Sequence, residues 1–90
     1  MTTFVAFSDS VEKEGLPELT EAEAQAVRTV RAQLELNPRT GERRVSFDPQ
    51  AEDYVVHLDE AATRGRPVSI LHRYHPTLDA DLIYWLVIGP

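Results

Sequence analysis

Ninety residues with 42% hydrophobic side chains suffice for one core and leave no room for a second domain. Nine Lys and Arg against fifteen Asp and Glu give a net charge of −6, which argues against a chain that grips nucleic acid over its whole surface. The absence of cysteine excludes a disulfide scaffold, a thiolate metal centre and a cysteine nucleophile, and it suits a reducing cytoplasm.

The run Thr3 to Phe7 is short, apolar and β-prone, and Ser8-Asp9-Ser10 after it supplies cap residues for a helical turn over Val11 to Glu14. Gly15 and Pro17 interrupt that turn. Thr20-Glu21-Ala22-Glu23 then has the spacing of a capping box, and Ala26, Val27, Val30 and Leu34 recur at helical spacing behind it. Asn37-Pro38 ends this longer helix, because the residue before a proline is pushed out of the α region.

Beyond Gly41 the period changes to two. Val45 and Phe47 share one face of a half-buried strand, with Arg44 and Ser46 on the other; Tyr54, Val56 and Leu58 alternate likewise with Val55 and His57. In the third run, Val68, Ile70, His72 and Tyr74 oppose Ser69, Leu71 and Arg73. Leu82 to Ile88 shows no alternation, which suits a strand covered on both faces or set centrally in the sheet. At seven residues it is far short of the roughly 20 needed to cross a bilayer, and the first residues lack a basic export region, so no membrane association is expected. Short connections rich in Asp, Gly, Pro and Ala favour consecutive antiparallel pairing. The expected fold is α+β in two layers, β-α-α-β-β-β-β, an antiparallel sheet with helices packed on one face, in a single domain over residues 1–90.

Charge is uneven along this string. Met1 to Leu36 holds seven acids and three bases, Asn37 to His75 six of each, and Pro76 to Pro90 two acids and no base. Arg39, Arg43, Arg44, Arg64, Arg66 and Arg73 all lie in the segment Asn37 to His75, so a polyanion site would be there. The ordinary alternative is solvated arginines in weak surface ion pairs.

The leading strand, the two helices, the phrase Leu34-Glu35-Leu36-Asn37-Pro38-Arg39-Thr40-Gly41, the strand meander and a last apolar strand closing on Ile88-Gly89-Pro90 together resemble the RelE/ParE superfamily of bacterial toxins. The resemblance spans nearly the whole chain. It implies a toxin of a type II toxin–antitoxin pair that cleaves messenger RNA in the ribosome without metal or other cofactor, using basic and aromatic side chains to orient the phosphate and move protons. Aligning Ile70-Leu71-His72-Arg73 with the family's apolar-apolar-Tyr-Arg strand puts Ser69 where such enzymes often carry a catalytic arginine. The basic or tyrosine residue that commonly follows the terminal Ile-Gly phrase has no counterpart before Pro90.

The candidate catalytic residues are Arg44, His57 and Arg73, which together with Ser46 could share a sheet face, a histidine base beside a phosphate clamp. Arg43, Arg64, Arg66 and His75 are candidate contacts for RNA or a partner. His72 and His75, three apart on a strand, point to opposite faces and do not make a metal pair without a turn. Asp79 and Asp81 fit a hairpin turn, and Tyr84 and Trp85 fit the core. Two functions stay open: an active ribosome-dependent endonuclease, or a toxin-like domain that has lost catalytic positions and acts through protein binding. The expected partners are an antitoxin-like protein or a second copy of the chain, with RNA or the ribosome under the enzyme reading, docked at a strand edge or the helix pair.

Overall fold

A computed structural model describes residues 2–90. Strand β1 (Phe4–Phe7) leads into two helical turns, Val11–Gly15 and Leu16–Glu18, started by Ser8, whose Oγ accepts from the Val11 N–H at 3.3 Å. Gly15 and Pro17 do not break this winding. Proline is tolerated in the first residues of a helical turn, where its missing N–H would have had no partner.

Helix α1 (Glu21–Leu36) begins at the capping box: Glu23 N–H donates to Thr20 Oγ1 at 3.2 Å, and Thr20 N–H donates to Glu23 Oε1 at 2.9 Å. Its buried stripe is Glu23, Val27, Val30 and Leu34. Burying each aliphatic member contributes about 1.5 to 3 kcal/mol. Glu23 was not expected in the stripe. It is sealed there because Arg66, 43 residues on, brings its backbone N–H to Oε2 at 2.7 Å and its guanidinium to Oε1 at 2.8 Å. That cluster pins the loop after the short helix α2 (Glu60–Thr63) onto α1.

Strands β2 (Glu42–Arg44), β3 (Glu52–Leu58), β4 (Val68–His75) and β5 (Ala80–Ile88) form the antiparallel meander, and β1 adds in parallel to β5, giving the order β1-β5-β4-β3-β2. The sheet is therefore antiparallel apart from its first strand. One face packs on α1 and the helical turns: Val5, Val11, Val27, Val30, Leu34, Val68, Ile70, Ile83 and Leu86 form the core. Among the described residues no helix is long and apolar enough to cross a membrane.

Three expectations are corrected. Val45 and Phe47 are not half-buried; they are 89% and 99% exposed, because β2 ends at Arg44 and has only β3 beside it. Leu82 to Ile88 is set centrally in the sheet, one of the two expected placements, but is not covered on both faces. Leu71 pairs with Trp85 and His72 with Ile83, so Tyr84 is an extra residue, a bulge that shifts the alternation by one. Asp81 and Ile83 point inward before it and Leu86 after it, while Leu82, Trp85 and Val87 are 40%, 58% and 44% exposed. Trp85 is thus not a core residue. Asp81 is not a turn residue either: it is buried in β5, and only Asp79, at φ 49°, stands in the turn.

Candidate functional site: the open sheet face

With the helices on one side, the other side of the sheet is left open, and the strand register arranges its side chains in rows. One row crosses four strands as Arg44, Asp53, Arg73 and Leu82; the next is Glu42, Val55, Leu71 and Trp85; a third is His57, Ser69 and Val87. The second and third rows, closed at the β2 edge by Arg43 and Arg44, line a shallow trough of about 580 Å³.

Arg44, His57 and Arg73 lie on this one face, but only Arg44 and His57 line the trough; Arg73 borders the smaller hollow beside His75. Ser46 lies beyond the end of β2, with its hydroxyl donating to the Asp48 carbonyl oxygen at 3.2 Å. Arg73 is not free. Its Nε and Nη2 donate to the two oxygens of Asp53 at 2.7 and 3.1 Å, and its guanidinium lies 5.0 Å from the Tyr84 ring centre. Hydrogen bonding to Asp53 raises the Arg73 pKa further, so the residue is a fixed cation whose charge is matched by its neighbour. His57 has Nδ1 2.8 Å from Ser69 Oγ and Nε2 3.6 Å from Glu42 Oε2. On this face Arg73 is paired with Asp53 and His57 stands near Glu42, while Arg44 has no ion pair among the described residues.

The other candidate contacts scatter. Arg43 points to the opposite side of β2, 5.5 Å from the Tyr54 ring centre and 3.8 Å from Glu52. Arg64 is the left-handed residue that ends α2, and Arg66 is held by Glu23. His75 lies on the open face beside Phe4 and Leu78, in a smaller hollow of about 200 Å³. Among the described residues no three His, Cys, Asp or Glu side chains gather as metal ligands.

Sequence reading missed a second polar cluster, at the β2 side of the sheet. Arg39 donates to Glu52 Oε1 at 2.8 Å, Tyr54 Oη donates to the same oxygen at 2.6 Å, and the Arg39 guanidinium sits 5.2 Å from the Tyr74 ring centre. Hydrogen bonds from Arg39 and then Tyr54 bring the Glu52 pKa down to about 2, and burial with the bond to Glu52 raises the Tyr54 pKa. Arg39 is thereby withdrawn from any polyanion site. No pattern in the sequence pairs a loop arginine with a glutamate 13 residues on.

No protein-family model matches the chain, and no curated protein matches it in sequence. The fold does have a counterpart among solved structures: a double arginine-to-alanine mutant of the E. coli toxin RelE in the free state, at TM-score 0.71 and 13% identity, covering 96% of this chain and 82% of that one. The two-layer arrangement of a largely antiparallel sheet with helices on one face is that of RelE, and this chain has a RelE-like fold.

Proposed function

We propose that this RelE-like domain acts by holding a protein partner on its open sheet face and does not itself cut RNA. One observation carries the reading: Arg73, at the centre of that face, is matched by Asp53, while Trp85, Val87 and Leu82 leave apolar surface bare and Arg44 alone of the two arginines there has no ion pair among the described residues. A phosphate draws its affinity from unmatched positive charge, so a face neutralised at its centre binds it weakly. Exposed aromatic and aliphatic surface is what protein contacts bury. Ser69, in the row of His57, adds no charge.

One feature favours the ribonuclease reading: the imidazole of His57 and the guanidinium of Arg44 share the trough, the pairing a general base beside a phosphate clamp requires. Induction of the chain in a bacterial host, with parallel mapping of cleavage on ribosome-bound messenger RNA, separates the two. The expected result is unimpaired growth, no new cleavage, and co-purification with a neighbour-encoded small protein. Growth arrest relieved by Arg73→Ala or His57→Ala would overturn the binding reading.

A further inference from the structure

We propose that the partner segment taken by this open face carries an arginine or lysine among apolar residues, its cationic group resting against Trp85 on the side of Glu14 and Glu18. This rests on the partner-binding reading above and names the chemistry of the partner.

Trp85 sits at the junction of two depressions. On one side is the trough with Val55, Leu71 and Val87 in its floor. On the other is a hollow of about 270 Å³ whose wall includes Ser10, Glu14, Glu18 and Tyr84. An occupant that covers the indole must enter both. The trough offers aliphatic contact, so the occupant is apolar there.

Charge decides the rest. From Ser8 to Glu18 the chain holds Asp9, Glu12, Glu14 and Glu18 against Lys13 alone. Glu14 and Glu18 are exposed, and among the described residues neither has an ion pair within 4.0 Å. Arg66 comes to the Glu18 backbone oxygen at 2.8 Å, but its guanidinium is already bonded to Glu23. An acidic or phosphate-bearing occupant would meet carboxylates at the hollow, whereas a guanidinium finds them beside an indole face, the most favourable ring for a cation. A second copy of this chain fits less well, since it brings another −6 of charge.

Trp85 is the only tryptophan, so its emission reports directly on whether this place is filled. The full chain is titrated with two synthetic 12-residue peptides that share their leucine positions and differ in having Arg or Glu at the polar ones. The Arg peptide should shift the Trp85 emission saturably and bind at least tenfold more tightly than the Glu peptide. The double variant Glu14→Gln/Glu18→Gln should lose about tenfold in affinity, while Glu21→Gln/Glu60→Gln, the same charge change away from the hollow, should lose less than twofold. Equal losses in both double variants, or no response to the Arg peptide, would overturn the proposal. So would emission that changes with protein concentration alone, which would identify a second copy as the occupant. If only the Glu peptide shifts Trp85, the inferred chemistry fails while the partner-binding reading stands; cleavage of ribosome-bound RNA would instead remove that reading.

Discussion

His72 and Asp81 meet inside the sheet core, Nδ1 2.9 Å from Oδ1, both side chains buried. The second ring nitrogen lies 2.9 Å from the Thr40 carbonyl oxygen, and Tyr54 stacks on the ring at 5.4 Å between centres. The histidine therefore ties the loop between α1 and β2 to the middle of the sheet. Asp81 Oδ2 is also 2.9 Å from Nδ1, but the N–H is not aimed at it, and this oxygen has no hydrogen-bond partner among the described residues. Removing one member strands the other without a partner in a dry interior. Asp81→Leu and His72→Leu should each cost about 3 to 5 kcal/mol in urea unfolding, and the double variant His72→Leu/Asp81→Leu should cost clearly less than their sum. Strict additivity would show that the pair is not coupled.

Gly41 stands at φ 107° where the chain enters β2, and a Cβ there would overlap the Val55 carbonyl oxygen. The left-handed backbone is open to glycine without penalty and strained for alanine. Gly41→Ala should lose about 1 to 3 kcal/mol, measured by thermal unfolding. An unchanged midpoint would mean that the β2 edge adjusts freely.

Acid should weaken the fold in a defined window. Glu23, through Arg66 first and then the Thr20 and Arg66 backbone N–H groups, has its pKa far below the ordinary 4.5, and Glu52 is lowered to about 2 through Arg39 first and then Tyr54. Both carboxylates titrate lower folded than unfolded, so what they contribute is complete above about pH 4.5 and is lost as the pH falls toward 2. A Glu52→Gln variant should show a flatter decline of stability across that window. A parallel decline would place the acid sensitivity elsewhere.

Asp53→Asn should unmask Arg73 on the open face, because the neutral amide no longer matches the guanidinium. Retention on heparin should rise at low salt and fall back in Asp53→Asn/Arg73→Ala. Retention unaffected by Asp53→Asn would show that this pair does not govern polyanion binding.

Trp85→Ala should change stability by no more than about 0.5 kcal/mol, as expected of an exposed position, while Ile83→Ala, two residues away on the buried face, should cost about 2 to 5 kcal/mol. Similar losses at both positions would place the indole in the core after all.

Local patterns were readable where the physics is local. The Thr20 and Glu23 capping box, the stop at Asn37-Pro38 and the inward set Tyr54, Val56 and Leu58 depend on neighbours within a few residues, and they stand where spacing put them. Val45 and Phe47 misled because alternation marks two faces without supplying anything to cover one of them. The capping box places Glu23 at the helix start but does not show that it is buried, because the partner that seals it, Arg66, is 43 positions away. Asp81 read as a turn residue because its partner is a core histidine on the neighbouring strand.

The sequence by itself determined the order of the strands and of the long helix, the faces of that helix and of β3 and β4, and the excess of acid over base, since these follow from backbone sterics, periodicity and formal charge; the short helix α2 was not legible in it. Tertiary structure alone decided that Tyr84 is bulged and Trp85 turned outward, that Arg73, Arg39 and Arg66 are each matched by a carboxylate, and that the open face is apolar and neutralised at its centre. Burial and ion pairing are set by which segments meet in space, and those meetings are fixed by strand pairing across the sheet and by the packing of loops against it and against α1.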